Sequence, residues 1–354
     1  MAIEKKGSSA KIECPRQTWY VACTSDEIEG KPLGRVVCGE SLVLFRVAED
    51  KVAALEDFCP HRGAPLSLGT VKSGLLVCGY HGMQMDENGK CAAMPGQAVE
   101  RFRKGIRSYP AVERHGYVWV WPGAAELANA DLIPDLHWAR SDDWAFGGGM
   151  FNIECDYRLL IDNLMDLTHE TYVHATSIGQ PEIEEAAPDT SRDGQRVTVS
   201  RQMEDIPAPP FWQDALRGNN LDPDVPVDRW QICRFSPPGS VMIDVGVAHA
   251  GNGGIDAPAE LRASGIVVDL ITPATANSCW YFWGMARNFN VGDVDLTNAI
   301  RASQHKIFTE DLEMLESQQR NIDANPSRPL MSLNIDHGGV HARKILKELI
   351  DQEN

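Results

Sequence analysis

Residues 59–82, in the N-terminal third of the chain, read CPHRGAPLSLGTVKSGLLVCGYHG. This stretch contains two arms, C-x-H at Cys59 and His61 and C-x-x-H at Cys78 and His81, with sixteen residues between them. Structural zinc sites usually pair two cysteines in one arm with two histidines in the other. Here each arm supplies one thiolate and one imidazole, so each can send one ligand to each of two metal ions.

Such a ligand set is typical of a Rieske [2Fe–2S] cluster, in which one iron has two cysteine ligands and the other has two histidine ligands. Neutral imidazoles remove negative charge and raise the reduction potential to roughly −150 to +300 mV, against about −400 mV for an all-cysteine plant-type cluster. Gly63, Gly79 and Gly82 would let the backbone approach the cluster closely. We predict an electron-relay cluster here, with a structural zinc site as the alternative.

The text around the two arms is strand-like. Short Val-, Leu- and Phe-rich runs alternate with Gly, Pro, Asp and Asn, and Asn88-Gly89 is a strong hairpin signal. We therefore predict a small all-β domain at residues 15–123 whose loops carry the arms. Residues 124–354 mix helical segments with strand candidates such as RWQICRF and CWYFWGMARNF. They predict a catalytic domain with an antiparallel sheet covered by helices, and hence an α+β chain.

The composition excludes several classes of function. A length of 354 residues suggests two domains, and a net charge of −17 argues against binding to nucleic acids or anionic membranes. We find no run of about 18 apolar residues that could span a membrane, and no secretory signal in MAIEKKGSSAKIEC. Nine scattered cysteines are not a disulfide framework, so we expect a reducing, cytoplasmic location.

A second metal site is predicted from IDNLMDLTHETYVH, residues 161–174. At 100° per residue, Asp162, Asp166 and His169 fall within roughly 60° of one another on a helix. A solvent-facing polar stripe is the alternative interpretation. His174 lies about 140° from His169 on an ideal helix, so both can bind one metal only if the helix widens or ends within Glu170–Val173.

The third ligand should be a carboxylate, which would complete the two-histidine, one-carboxylate triad of non-haem iron(II) oxygenases. In KIFTEDLEMLESQQ, Asp311 projects from the middle of an apolar helical face. A carboxylate in that position is costly unless it is paired or binds a metal, so we predict Asp311 as the ligand, with a buried salt bridge as the alternative. Glu310 and Glu313 are expected to point toward solvent.

With both sites in place, the chain resembles the oxygenase components of Rieske non-haem iron aromatic-ring oxygenases, and within that family the vanillate O-demethylase branch. The resemblance covers nearly the whole sequence and lies in TWYVACTSDEIEGKPLGR, EDFCPHRGAPLSLG, DYRLLIDNLMDLTHETYVHATSIGQ, PPFWQDALRGNN, VPVDRWQICRF, WYFWGMARNF and IFTEDLEMLESQQ. It implies a Rieske cluster, a mononuclear Fe(II), O₂ as co-substrate, a homotrimer and a separate NADH-dependent reductase. It also implies that Asp166 bridges His81 of one subunit to His169 of the next, and that Asn163 lies near iron and substrate.

The resemblance implies O-demethylation of a methoxylated aromatic acid, with vanillate giving protocatechuate and formaldehyde. Another methoxybenzoate demethylase, an oxygenase for an aromatic methyl group, a ring dihydroxylase and a non-catalytic Rieske electron carrier are the alternatives. Arg234, His249 and Arg287 are all candidates to bind the substrate carboxylate, with a surface or structural role as the alternative for each. The sequence carries no G-x-G-x-x-G fingerprint and no plant-type ferredoxin motif, so we expect the reductase to be a separate protein.

Overall fold

The computed structural model describes residues 12–99 and 105–354. Residues 1–11, most of the segment in which we find no secretory signal, lie outside this part of the chain. Among the described residues, none of the helices combines the length and the apolarity that a membrane span requires. The chain divides into two compact units: the first runs to Ile133 and includes Thr272–Cys279 and Glu353–Asn354, and the second comprises Pro134–Ile271 and Trp280–Gln352.

The first unit is built from short strands. These are β1 (Tyr20–Thr24), β2 (Leu33–Val37), β3 (Glu40–Ala48), β4 (Lys51–Glu56), β5 (Thr70–Lys72), β6 (Leu75–Val77), β7 (Gln84–Met85), β8 (Cys91–Ala93), β9 (Ser108–Tyr109), β10 (Ala111–Arg114) and β11 (Tyr117–Val120). They form three sheets in the orders β1-β11-β10, β2-β3-β4-β9 and β5-β6-β7-β8. Val43, Phe45, Leu66, Leu76 and Met85 share one buried core with Cys59 and Cys78.

The second unit combines one large sheet with helices. Its strands are β12 (Ala145–Ile153), β13 (Asp189–Asp193), β14 (Arg196–Ile206), β15 (Val227–Ser236), β16 (Ser240–His249), β17 (Arg262–Thr275) and β18 (Ser278–Arg287). Its helices are α1 (Tyr157–Leu164), α2 (Glu170–Val173), α3 (Glu182–Glu185), α4 (Pro210–Gly218), α5 (Val294–Ala324) and α6 (His337–Glu353). The sheet order is β12-β18-β17-β16-β15-β14-β13, and the ladders from β13 to β17 are antiparallel.

Side-chain alternation explains why this sheet forms. In RVTVSRQM of β14 the residues at every second position, Val197, Val199, Arg201 and Met203, are buried. Such a period of two places one face of a strand against a core. Together with the all-β first unit, the sheet and its helices confirm the predicted α+β class. The predicted domain ranges, 15–123 and 124–354, stay a prediction.

The helix on which the sequence analysis places residues 161–174 is interrupted, which is a correction. α1 ends at Leu164, and α2 is a single turn that begins after His169 and ends before His174. The side chain of Asp166 causes the break, because its Oδ1 accepts hydrogen bonds from the Thr168 amide and hydroxyl, both at 2.6 Å. Such local bonds compete with helical ones. The predicted helix end within Glu170–Val173 is confirmed at Val173.

Candidate metal centres

The two Cys/His arms are loops of the first unit. Cys59 follows β4 and Cys78 follows β6, and each is only 2% exposed. Burial raises the pKa of the Cys59 thiol, and the neighbouring side chain of Cys78 raises it further. The rings of His61 and His81 lie nearer the surface, with centroids 4.5 Å apart. Cysteine thus lies beside cysteine and histidine beside histidine, the pairing that a cluster with one Cys₂ iron and one His₂ iron requires.

Both arms use the same backbone turn. The amide of Gly63 donates to the Cys59 carbonyl at 2.8 Å, and the amide of Gly82 donates to the Cys78 carbonyl at 3.0 Å. Gly63 and Gly82 have φ values of +69° and +75°, a conformation that costs a residue with a Cβ atom and is free for glycine. The residues therefore fit a cluster held symmetrically by two matching loops.

His169, His174 and Asp311 converge in the second unit. The Nε2 atoms of His169 and His174 lie 3.5 Å and 3.3 Å from Asp311 Oδ1, and one donor atom from each residue lies within 4.8 Å of the others. Ligand atoms that are each about 2.1 Å from one metal ion are separated by about 3 to 3.5 Å. The three residues thus fit a single metal ion. His169 lies directly before α2, and His174 lies directly after it.

Charge holds this cluster together even without a metal. Burial would raise the pKa of the Asp311 carboxyl, but hydrogen bonds with His169 and His174 lower the pKa well below its usual range. Burial would lower the pKa of each imidazole, yet Asp311 raises both. Asn163 Nδ2 also donates to Asp311 Oδ1 at 3.0 Å and lies 3.5 Å from His169 Nε2. The structure therefore brings Asn163 into contact with the triad.

Asp166 lies beside the triad with one oxygen in use. Its Oδ1 accepts both hydrogen bonds from Thr168, while Oδ2 is 4.0 Å from His169 Nδ1. That Nδ1 atom is buried and has no hydrogen-bond partner among the described residues. Asp162 lies elsewhere: it forms an ion pair with Arg343. Of the predicted polar stripe, only Asp166 and His169 thus approach the metal site.

Glu310 does not point to solvent, which corrects our expectation. Its Oε2 accepts a hydrogen bond from His174 Nδ1 at 2.8 Å and one from Ser177 Oγ at 3.0 Å. Thr176 and Ser177, in the segment that follows α2, lie against Glu310 on α5. This segment therefore covers the face of α5 that lies next to its apolar face. Glu313, in contrast, is exposed as predicted.

A buried ion pair supports the loop that carries the histidines. Glu170, next to His169, accepts hydrogen bonds from Arg229 Nη2 at 3.3 Å and from Gln231 Nε2 at 2.6 Å, both on β15. Arg229 also donates to the Ile178 carbonyl at 3.2 Å. The Arg229 and Glu170 side chains are 1% and 6% exposed. The sheet therefore fixes the loop on both sides of the site.

We expect Arg229→Met to lower the free energy of unfolding by about 3 to 5 kcal/mol, because it leaves the Glu170 carboxylate buried without its partner. Urea unfolding followed by circular dichroism measures this loss. Arg217→Met is the matched control, since the Arg217–Asp214 pair is 54% and 80% exposed and should contribute less than about 1 kcal/mol. Equal losses in the two variants would contradict a supporting role for the buried pair.

The triad opens onto a largely apolar cavity with about 90 Å³ of free space. Its walls come mainly from apolar side chains of α4, α5, β15, β16 and β17, among them Phe211, Trp212, Ile243, Val267 and Phe308. Of the two strand candidates named from the sequence, RWQICRF contributes Arg229, Gln231 and Cys233 to the wall. Among the described residues, CWYFWGMARNF contributes none. Gln231 Oε1 is a buried acceptor without a partner in the described part of the chain.

The three cations considered for the substrate carboxylate lie away from this cavity. Arg234 points to the other face of β15 and is 3.9 Å from Asp244. Arg287 donates to the carbonyls of Phe289 and Asn290, and His249 Nε2 is 3.1 Å from the Asp222 carbonyl. Among the described residues, the cation that lines the cavity is Arg229. The alternation of RWQICRF places it on one face with Gln231 and Cys233 but does not indicate which face the cavity occupies.

Comparison with protein families identifies both halves of the chain. Residues 18–110 match the Rieske [2Fe–2S] domain, and residues 153–352 match the vanillate O-demethylase oxygenase C-terminal domain. The two matches contain all the residues of the arms and the triad. The predicted family resemblance is therefore confirmed, and the zinc-module alternative for the first domain is wrong.

Individual relatives extend over the full length. The chain is 60% identical to the vanillate O-demethylase oxygenase subunit of Pseudomonas sp. strain HR199, covering 96% of each chain. It is 35% identical to a putative toluene-4-sulfonate monooxygenase iron-sulfur subunit of Comamonas testosteroni, covering 96% of this chain and 98% of the relative. The crystal structure of dicamba monooxygenase bound to 3,6-dichlorosalicylic acid superposes with a TM-score of 0.86 at 32% identity, over 96% and 98% of the two chains. With matches of this extent, the chain belongs to the vanillate O-demethylase family of Rieske [2Fe–2S] oxygenase components.

Proposed function

We propose that this chain is the oxygenase component of a monooxygenase that O-demethylates a methoxylated aromatic acid, with vanillate as the substrate and protocatechuate and formaldehyde as products. The observation that carries the proposal is the His169–His174–Asp311 triad at the end of a largely apolar cavity. The Pseudomonas relative at 60% identity supports vanillate in particular. Electrons would come from NADH through a separate reductase.

The residues divide into two sets. Cys59, His61, Cys78 and His81 would hold the Rieske cluster, in a domain at residues 15–123. His169, His174 and Asp311 would hold the mononuclear iron, in a domain at residues 124–354. When bound, these groups supply one-electron transfer and dioxygen activation for oxygen insertion into a methyl C–H bond. One oxygen atom enters the methyl group, and the other leaves as water with two electrons and two protons. The bond between the ether oxygen and the hydroxymethyl carbon then breaks, and the hydroxyl proton passes to the ether oxygen, which gives the phenol and formaldehyde.

The cavity walls would orient the substrate. Phe211, Trp212, Ile243 and Phe308 offer apolar surface for an aromatic ring and keep bulk water away from the metal site. The unpartnered Oε1 of Gln231 would accept a hydrogen bond from a donor on the ring, such as a phenolic hydroxyl. Holding the methoxy group over the metal matters because small misplacements are costly for reaction rate.

We also propose a homotrimer in which Asp166 of one copy contacts His81 of the next. Two surfaces support the contact. In the second unit, a hollow beside Asp166 is bordered by Leu330 and Met331, which are 73% and 84% exposed. In the first unit, Tyr80 is 60% exposed and stacks on His81, with ring centroids 4.0 Å apart.

Free cysteines throughout the described chain support a reducing, cytoplasmic location.

A second candidate function is oxygenation of an aromatic methyl group. The Comamonas relative at 35% identity, named for the monooxygenation of toluene-4-sulfonate, supports it. The same C–H insertion at a ring methyl group gives an alcohol and no formaldehyde. A purely electron-carrying role has less support. A carrier would have no use for a triad of metal-binding residues that faces an apolar cavity.

We expect formaldehyde release with vanillate that matches the O₂ consumed, when the chain is assayed with NADH and a compatible reductase. Other methoxybenzoates, ring-methylated aromatic acids and unsubstituted benzoate form the comparison panel, and formaldehyde is measured by derivatisation. Turnover of ring-methylated acids without activity on vanillate would contradict the demethylase proposal. Equal O₂ uptake with benzoate would show that the uptake is uncoupled.

A further inference from the structure

His174 is contacted on both ring nitrogens by adjacent residues of α5. Its Nδ1 donates to Glu310 Oε2 at 2.8 Å, and its Nε2 lies 3.3 Å from Asp311 Oδ1. The side chains of successive helical residues diverge by about 100°, so the two carboxylates can reach opposite edges of one imidazole. The Glu310 contact requires a proton on Nδ1, which leaves the Nε2 lone pair free to face the metal site.

Glu310 is itself held in place. Its carboxylate accepts hydrogen bonds from Ser177 Oγ at 3.0 Å and Thr176 Oγ1 at 3.5 Å, and Lys306 Nζ lies 4.0 Å away. Ser177 and Thr176 belong to the segment directly after His174. Glu310 therefore joins the helix that supplies Asp311 to the segment that supplies His174, and its side chain is only 20% exposed.

His169 lacks a comparable contact. Its Nδ1 is buried without a hydrogen-bond partner in the described part of the chain, and Asp166 Oδ2 is 4.0 Å away. This distance is too long for a hydrogen bond. The two histidines thus differ at the second ring nitrogen: Nδ1 of His174 is held by Glu310, whereas Nδ1 of His169 has no such partner among the described residues.

We propose that Glu310 is a positioning residue that fixes the tautomer and orientation of His174 as an iron ligand. The inference rests on the proposed ligand set. Carboxylates that accept a hydrogen bond from the second ring nitrogen of a ligating histidine orient the ring and raise its basicity. Removing such a partner typically lowers metal affinity or activity by about 10- to 100-fold.

A purely structural role would predict a different result. If Glu310 only tied α5 to the segment at Thr176 and Ser177, its loss would lower thermal stability and leave the retained iron unchanged. A positioning role predicts faster loss of the mononuclear iron and an altered environment for the iron that remains. It also predicts partial rescue by glutamine, whose side-chain oxygen can still accept a hydrogen bond from His174 Nδ1.

The experiment compares purified full-length Glu310→Ala, Glu310→Gln and Glu313→Gln, with His174→Ala as the ligand control. Iron transfer to a ferrous chelator gives the dissociation rate, and the cluster's visible absorption is the internal reference. Electron paramagnetic resonance of the nitric oxide adduct reports on the iron environment. We expect iron loss about 10- to 100-fold faster in Glu310→Ala, an intermediate rate in Glu310→Gln, and wild-type behaviour in Glu313→Gln.

Two results would overturn the inference in distinguishable ways. If His174→Ala loses the mononuclear iron while Glu310→Ala has the wild-type dissociation rate and resonance signal, the positioning role of Glu310 is wrong and the ligand set stands. If His174→Ala retains the iron, the ligand set itself is wrong. None of these readouts needs substrate, so they do not depend on whether vanillate is the substrate.

Discussion

Replacing Asp311 with alanine should remove the mononuclear iron and abolish demethylation, while the Rieske cluster stays intact. Asp311 Oδ1 is the atom that both histidine Nε2 atoms approach, at 3.3 Å and 3.5 Å. Without it, two neutral imidazoles would have to hold a divalent ion without the carboxylate that completes the triad. Iron analysis combined with the visible spectrum of the cluster measures the two centres separately.

Glu313→Ala is the matched control for this variant, because Glu313 lies on the same helix but is exposed. It should keep wild-type iron and activity. The ligand assignment would be wrong if Asp311→Ala retained its full iron content. Loss of the cluster spectrum together with the iron would indicate general misfolding, and a circular dichroism spectrum of each variant checks for it.

Asp166→Asn should retain both metal centres yet reduce turnover by about 100-fold or more. Asparagine keeps the shape of the side chain, and its oxygen can still accept the two hydrogen bonds from Thr168. It lacks the negatively charged Oδ2 atom, which lies 4.0 Å from His169 Nδ1 and which would accept a hydrogen bond from a histidine of a second copy. The contact between the cluster of one copy and the iron of the next would therefore be weakened.

Single-turnover reduction separates this effect from chemistry at the iron. In Asp166→Asn the cluster should be reduced by the reductase at the normal rate, while its reoxidation with substrate and O₂ should be slow. Asp193→Asn, an exposed change in the β13–β14 hairpin, should behave like the wild type. Normal reoxidation of the cluster in Asp166→Asn would remove the bridging role from Asp166.

The first centre could be predicted from the sequence because its information is local. Two arms of three and four residues carry the four proposed ligands, and the glycines that the turns need lie within the same stretch. The spacing therefore indicated both the ligands and their pairing. The α+β class was also predictable from local sequence patterns, because strand-like and helical segments each have their own periodicity.

The second centre was only partly predictable, since it combines segments far apart in the chain. A carboxylate inside an apolar helical stripe indicated Asp311 as the proposed third ligand. The angular position of His174 relative to His169 indicated a helix end, which the structure has at Val173. Helical periodicity could not reveal that the segment around Ser177 covers the neighbouring face of α5, so Glu310 was assigned to solvent. It also could not reveal that the Asp166 side chain ends α1.

The residues that line the cavity were the least predictable. Basic residue type alone suggested Arg234, His249 and Arg287, but the direction of a side chain depends on strand register. In β15 the alternation directs Arg229, Gln231 and Cys233 toward the cavity and Arg234 away from it. That choice is set by pairing with β14 and β16, which a single sequence does not specify.

Mössbauer spectroscopy of protein enriched in a suitable iron isotope tests the central claim most directly, namely that one chain holds an electron-relay cluster and a separate oxygen-activating iron. The wild type should give two kinds of subspectra, one from a cluster with two inequivalent irons and one from a high-spin ferrous ion that shifts when substrate is added. Asp311→Ala should lose only the ferrous component. A wild-type spectrum with the cluster alone, or with no iron signal because zinc fills the sites, would contradict the account.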